Sequence, residues 1–290
     1  MNASPTTWIT RALWILLPFT LGGLLGDPSA STAASTAAAV VAWTVWAIGL
    51  FSSVVLAPAA LTMLRIVVPL PLLGGILAAA SRHPDALGWV GLAVAATVVV
   101  AAMSPDVAGD FVNGASYGDE RRVPLRVPSV LLFGPIELVW ALTAVPIPVA
   151  VGLAARESWI AAVPVGVVGV VGAVVGFRIL HRLAGRWLVL VPAGMTIVDP
   201  MVLAEPILLR RSDIVRLGPA PVDTEAVDLT VGASGLILQA DLSQPVELVR
   251  ATRRGGIGEP IEVSSVLIAP SRPGRLLSIA EERRIAVGRT

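Results

Sequence analysis

Six stretches of this sequence are long and apolar enough to cross a lipid bilayer as helices. A helix needs about 20 mostly apolar residues to span the hydrocarbon core, because every backbone N–H and C=O there must be bonded within the segment. The sequence therefore predicts a polytopic α-helical membrane domain over residues 1–186. Its six predicted spans cover residues 8–26, 35–57, 59–80, 87–103, 129–154 and 159–180.

Charged side chains are distributed unevenly between this apolar part and the rest of the chain. Residues 1–180 contain eight acids and eight arginines, whereas residues 181–290 contain the other twelve acids and thirteen arginines. The second part therefore has the polar composition of a soluble domain, assigned here to residues 187–290. The net charge of +1 gives no reason to expect nucleic acid as a partner. The chain has no cysteine, which excludes disulfides and thiolate metal sites.

The placement of arginine predicts how the six spans are oriented. If both termini are cytoplasmic, eight of the ten arginines in residues 1–186 fall on the cytoplasmic side, and only Arg82 and Arg156 fall outside. Such an excess is typical of cytoplasmic loops, so we expect a multi-pass protein of the cell (inner) membrane with the N- and C-termini in the cytoplasm. The eight are Arg11, Arg65, Arg121, Arg122, Arg126, Arg178, Arg182 and Arg186.

One acid, Glu137, lies inside a predicted span, about two turns in from the start of the fifth. A carboxylate in hydrocarbon requires a partner or a proton. Arg65 lies at a similar depth in the third span, so we expect it to pair with Glu137, with Arg11 as the alternative partner. The pair is interpreted either as structural or as a site that handles a proton or a substrate.

Proline interrupts the third span at Pro69 with Pro71 and the fifth at Pro146 with Pro148. Each proline removes a backbone hydrogen bond and predicts a kink. Broken helices also occur at transport sites, where they are accompanied by coordinating polar groups.

The sixth span carries glycines at a spacing that lets another helix approach closely. These helix-packing residues are Gly166, Gly169, Gly172 and Gly176. Packing inside this protein is the simpler interpretation. Dimerisation, or contact with a membrane protein partner, is the alternative.

The long loop between the fourth and fifth spans, residues 104–128, concentrates the remaining candidate functional side chains. They are Tyr117, Asp119, Glu120, Arg121 and Arg122. The arginines could meet anionic headgroups, each contributing about 1 kcal/mol near the surface. A solvated connector is one interpretation, and a docking surface for the soluble domain, a lipid or another protein is the other.

Beyond residue 186 the hydrophobic pattern changes to short alternating runs bounded by turn residues, including a turn at Gly255 to Gly258. Such a pattern predicts a small all-β domain, either a barrel or two sheets, capped by a C-terminal helix at residues 272–286. The eight predicted strands are residues 187–192, 195–199, 206–211, 214–218, 226–231, 236–241, 245–251 and 261–268.

Three segments of this tail resemble bacterial pleckstrin-homology-like (PH-like) domains. Residues 186–197 resemble their opening hairpin, residues 207–214 their third strand and following turn, and residues 263–269 their closing strand. The resemblance implies a multi-pass bacterial membrane protein whose PH-like domain is an interaction module without chemistry. Phosphoinositide binding is not implied, because the first hairpin turn has no basic cluster.

No catalytic or metal-binding motif is present in the sequence, and no cofactor is expected. The two histidines, His83 and His181, are predicted on opposite faces of the membrane, so they cannot share a metal ion. We therefore expect a non-catalytic membrane scaffold or accessory subunit, with a protein partner or a second copy of the chain. The alternatives are a transporter that uses Glu137 and the kinked helices, and a lipid-modifying enzyme that uses Asp119 and Glu120.

Overall fold

The computed structural model describes residues 3–251 and 257–288, which form two compact units. The helical unit comprises Met1–Gly114 and Ile136–His181, and the β unit comprises Ala115–Pro135 and Arg182–Thr290. The chain therefore passes from one unit to the other three times. The loop between the fourth and fifth spans is divided: residues 104–114 belong to the helical unit and residues 115–128 to the β unit.

All six predicted spans are helical, and all are long and apolar enough to cross a membrane. The first, second, fourth and sixth are single helices: α1 (Pro5–Leu25), α2 (Thr32–Val54), α5 (Ala86–Met103) and α9 (Trp159–Ala184). The third and fifth are each broken into two helices. These are α3 (Pro58–Val67), α4 (Pro69–Ser81), α7 (Pro135–Ala144) and α8 (Pro146–Ala154).

The breaks fall at Pro69 and Pro146, as the sequence predicts. Each proline opens the second helix, where its missing N–H leaves no intrahelical bond unmade. The connection between α2 and α3 is only residues 55–57, and α3 with α4 then runs for 24 residues, the length of a full span.

Large apolar side chains cover the outside of the helical unit. Ile160 is 95% exposed and Phe19 is 72% exposed, far more than the surface of a soluble domain favours. A lipid environment removes the cost of this exposure, because hydrocarbon tails are as apolar as the side chains.

The interior of the helical unit is centred on α1, whose Trp14 is fully buried. Trp14 Nε1 donates to the Trp46 carbonyl oxygen of α2 at 2.9 Å, and Trp46 Nε1 donates to the Trp14 carbonyl oxygen at 3.1 Å. On α5, a Cβ at Gly91 would lie 2.7 Å from the Thr20 carbonyl oxygen of α1. Only glycine permits α1 and α5 to approach so closely.

The β unit contains two four-stranded sheets. The first has the order β1 (Arg121–Pro124), β2 (Trp187–Val191), β3 (Gly194–Val198) and β4 (Ile207–Arg210), with all neighbours antiparallel. The second has the order β5 (Ile214–Pro219), β7 (Leu238–Ala251), β8 (Ile257–Ile268) and β6 (Val227–Asp228). In it, β6 runs parallel to β8 and the other pairs are antiparallel.

Both sheets and the last helix, α10 (Pro273–Glu282), contribute to one core. Leu190 and Ile197 of the first sheet, Val266 of the second, and Leu276 and Ala280 of α10 are all fully buried. The predicted β domain with a C-terminal helix is therefore present. Its two sheets do not close into a barrel within the described residues, which corrects the barrel form of the prediction.

The structure departs from the predicted elements in the long loop and in the second sheet. Residues 104–128 contain a helix, α6 (Pro105–Asn113), as well as β1, so a simple connector is the wrong interpretation for those segments. The strands predicted at 236–241 and 245–251 form one strand, β7, with an irregular register between Asp241 and Val246. The predicted turn at Gly255 to Gly258 lies partly outside the described residues, and Gly258 belongs to β8.

Candidate functional site

Two arginines of the helical unit bind backbone carbonyls at the ends of other helices. Arg11 Nε donates to the Ser53 carbonyl oxygen at 2.8 Å, in the last turn of α2. Arg65 Nε donates to the Ala102 carbonyl oxygen at 3.3 Å, in the last turn of α5. The last four carbonyls of a helix have no intrahelical partner and carry partial negative charge, so each arginine satisfies an acceptor that lipid cannot.

Both arginines that were expected to pair with Glu137 use Nε on backbone carbonyls, and the pairing itself stays a prediction. The structure also corrects the depth of Glu137. Gly134 adopts φ +109°, and α7 begins only at Pro135, so Glu137 is in the first helical turn and is exposed. A carboxylate in that position is favoured by the helix dipole.

Asp110, which the sequence reasoning did not single out, has the corresponding role at the start of α1. Its Oδ2 accepts from the Ser4 backbone N–H at 2.7 Å and from the Thr7 hydroxyl at 2.6 Å. Ser4 is the N-cap of α1, so the acid lies at the positive end of that helix. Only the three-dimensional structure reveals this contact, because more than 100 residues separate Asp110 from Ser4.

The predicted glycines of α9 pack against the break between α7 and α8. A Cβ at Gly176 would overlap Thr143 Oγ1, one at Gly172 would overlap the Leu142 carbonyl oxygen, and one at Gly169 would lie 2.8 Å from Ile147 Cγ1. Gly166 is different, because its nearest neighbour would be 3.6 Å away. Three of the four glycines are therefore explained by packing inside this chain.

His181, near the end of α9, has structural contacts. Its Nδ1 lies 3.0 Å from Thr62 Oγ1 of α3, and its ring stacks on Phe177 with centroids 5.6 Å apart.

An apolar cavity of about 630 Å³ lies within the helical unit. It is bordered by α2, by both halves of the broken third and fifth spans, and by α9. Its polar or charged lining residues among those described are Thr44, Thr143 and Arg178. The Thr143 hydroxyl already donates to the Val139 carbonyl oxygen at 2.6 Å.

The predicted cluster in the long loop is held together by Glu120. Its Oε2 accepts from Arg122 Nη2 at 3.0 Å and from the Tyr117 backbone N–H at 3.4 Å, and these two hydrogen bonds hold the pKa of the Glu120 carboxyl below its usual value. The Tyr117 side chain is 88% exposed. Arg121 Nη1 donates to the Glu120 carbonyl oxygen at 2.9 Å, and the Asp119 carbonyl oxygen accepts from Arg283.

A buried ion pair that the sequence reasoning missed joins three parts of the β unit. Arg186 Nε lies 2.9 Å from both Asp199 carboxylate oxygens, and Arg186 Nη2 lies 2.7 Å from Oδ2. The two side chains are only 1% and 0% exposed. Arg186 Nη1 also donates to the Arg126 carbonyl oxygen at 2.9 Å, and Asp199 Oδ1 accepts from the Met201 N–H at 3.0 Å.

A second cavity, of about 670 Å³, lies within the β unit and is lined largely by arginine. Its walls come from the long loop, the turn between β2 and β3, the turn after β4, and α10 with the residues that follow it. The charged lining residues are Asp119, Arg121, Arg211, Arg275, Glu282, Arg283 and Arg284. The sequence reasoning singled out only Asp119 and Arg121 of these.

No family model, curated protein or solved structure matches this chain.

Proposed function

We propose that this chain is a non-catalytic membrane scaffold or accessory subunit. Its helical unit anchors it in the cell (inner) membrane, and its β unit serves as the interaction module. The observation that carries the proposal is the placement of charge in the helical unit. Arg11 and Arg65 bind the carbonyl ends of helices, and Asp110 binds the N–H end of another.

Such contacts stabilise a fold and leave these side chains committed to it. A transport pathway through the unit would need polar groups that face a substrate. The break between α7 and α8 likewise has a structural account, because Gly172 and Gly176 of α9 pack directly against it.

The β unit supports an interaction role through its construction. It combines a segment from between two spans with the chain after the last span, so an event at its surface reaches the membrane unit along three covalent connections. The resemblance of residues 186–197, 207–214 and 263–269 to PH-like domains supports the same role.

The distribution of arginine supports a cytoplasmic position for the β unit. This part of the proposal can be tested directly, because a chain without cysteine accepts single-cysteine labelling without background. We expect Ser29→Cys, between α1 and α2, to react with a membrane-impermeant maleimide in intact cells. Ser212→Cys in the β unit should react only after the cells are permeabilised. The reverse pattern contradicts the orientation.

The scaffold role is tested by purifying the tagged full-length chain from its own membranes in a mild detergent. We expect a membrane protein to co-purify in fixed stoichiometry, or the chain itself to form a defined oligomer. A chain that purifies as a monomer, and that moves a solute when reconstituted into liposomes, contradicts the proposal. Glu137→Gln serves as the control variant, and we expect it to leave the assembly unchanged.

One observation favours a transporter as the second candidate. The apolar cavity of the helical unit is bordered by both proline-broken spans, the arrangement expected where a substrate passes between broken helices. Its apolar lining would suit a hydrophobic solute. Flux of such a solute in liposomes, abolished by Ala173→Phe in the cavity wall, would establish this candidate instead.

A further inference from the structure

We propose that the arginine-lined cavity of the β unit binds an anion that carries phosphate. The site goes beyond the proposed function, because a scaffold needs no small ligand and either idea can fail without the other.

Charge is the first observation that supports the site. Five arginines and two acids line the cavity, an excess of three positive charges in one concave surface. Like charges held together repel each other, and a concave wall concentrates the resulting field. A bound anion would relieve this repulsion.

Contacts within the chain satisfy only part of this cluster. Arg121 and Arg283 each donate to a backbone carbonyl of the long loop, which holds two guanidinium groups in place. The guanidinium groups of Arg211, Arg275 and Arg284 make no hydrogen bond or ion pair with the described residues. Glu120, a nearby acid, is engaged with Arg122 at 3.0 Å and does not line the cavity.

Helix capping explains some of these arginines but not all of them. Arg283 and Arg284 follow the C-terminus of α10, where a positive charge is favoured by the helix dipole. Arg275 lies in the first turn of the same helix, where a positive charge is disfavoured. Arg211 lies in the turn after β4 and Arg121 in β1. Four separate segments therefore bring arginine to one cavity, and capping accounts for only one of them.

The identity of the cations indicates the class of anion. A guanidinium group presents its donors in a planar fork that matches two oxygens of a phosphate group. The Ser278 hydroxyl, also in the wall, adds a neutral donor. A cavity of about 670 Å³ is larger than one phosphate, so the ligand carries phosphate on a larger polar group. An anionic lipid headgroup and a soluble phosphorylated molecule share this chemistry.

The test uses the full-length chain in a non-ionic detergent and measures binding by calorimetry in two arms. The first arm titrates inorganic pyrophosphate, which represents a soluble phosphorylated ligand. The second titrates dihexanoyl phosphatidylglycerol below its micellar concentration, with dihexanoyl phosphatidylcholine as the uncharged reference. Saturable binding in either arm supports the site, and the arm with the tighter binding identifies the source of the phosphate.

Variants connect the binding to the cavity. We expect Arg211→Gln and Arg275→Gln each to weaken binding by roughly three- to tenfold, since each removes one charge-assisted fork. Arg275→Lys should lose less, because it keeps the charge without the planar fork. Arg210→Gln is the matched control, since it removes the same charge from the neighbouring position outside the cavity. We expect it to bind as the unmodified chain does.

A second measurement needs no variant. Phenylglyoxal modifies accessible arginines, and we expect pyrophosphate or the short-chain phosphatidylglycerol to protect Arg211 and Arg275 but not Arg210. The proposal is overturned by absence of saturable binding in both arms, by equal weakening in Arg210→Gln and Arg211→Gln, or by equal labelling with and without ligand.

Discussion

The two units of this molecule accommodate arginine in different ways. In the β unit, Arg186 meets a full counter-charge, Asp199, in a pair that is almost completely buried. In the helical unit, Arg11 and Arg65 donate to backbone carbonyls at helix ends. The C-terminal end of a helix carries about half a negative charge and has carbonyl groups without an intrahelical partner. An arginine there gains a favourable contact without a second charged side chain.

We expect the largest loss of stability when the buried ion pair of the β unit is broken. Asp199→Ala leaves Arg186 charged and without its partner, so we expect the β unit to lose about 3–5 kcal/mol of unfolding free energy. The control is Asp241→Asn, which removes the charge facing Arg216 at 3.6 Å, in a pair about one-third exposed, and keeps an oxygen that accepts from Gln239. We expect the control to lose less than about 1 kcal/mol. Pulse proteolysis of the β unit across a urea series measures both, and equal losses would contradict the contrast.

A smaller effect is expected where helices pack in the helical unit. Gly176→Val places a side chain against Thr143, and overpacking of this kind costs about 1–3 kcal/mol. Gly166→Val is the control, since a Cβ there would be 3.6 Å from its nearest neighbour. Thermal unfolding in detergent should show a clear loss for the first variant only. If both variants behave alike, the glycine spacing serves a contact outside this chain.

The arginines at helix ends should contribute less again. Arg65→Gln removes the guanidinium from the last turn of α5, and we expect a loss of about 1–2 kcal/mol, near the upper range for a charge at a helix terminus. Arg178→Gln, which removes an exposed guanidinium of α9 at the border of the apolar cavity, is the control and should change thermal unfolding little. A loss at Arg65 as large as that of Asp199→Ala would indicate a stranded counter-charge and would support the predicted pairing with Glu137.

The smallest effect concerns acid and the long loop. Hydrogen bonds to Arg122 and Tyr117 lower the pKa of Glu120 in the folded chain. Because this pKa is lowered, the ionised carboxylate stabilises the folded loop at pH values above the pKa of an unfolded glutamate, about 4.3. The stabilisation is lost as the pH falls through the lower pKa of the folded chain. We therefore expect the Tyr117 amide to exchange deuterium faster as the pH falls below about 4.3. The reference is Glu120→Gln at the same pH, whose Tyr117 amide should not show this increase. A parallel response in the variant would contradict the assignment.

The spans could be predicted because hydrocarbon imposes a length and a composition that a local window detects. The breaks at Pro69 and Pro146 were predictable for a similar reason, since proline acts on its own helix. The predicted depth of Glu137 was wrong because α7 starts only after the backbone turns at Gly134. The length of the apolar run does not reveal that turn.

Other features depend on partners far away in the sequence. The four-residue β1 is a strand only because β2 pairs with it, more than 60 residues later. Neither Arg186 nor Asp199 stands out in the hydrophobic pattern of the sequence, so their pairing was not predicted. The arginine-lined cavity draws on segments from residue 119 to residue 284. No local window contains these relations, so hydrophobic periodicity could not predict them.

The position of β1 also determines the order in which the protein can be made. Residues 121–124 are synthesised before the last two spans and well before their partner β2. The first sheet can be completed only after those spans have been synthesised, so the β unit is the last part of the chain able to fold. A recombinant fragment that begins at residue 187 would lack this edge strand and would present the unpaired backbone of β2 to other chains, a template for aggregation.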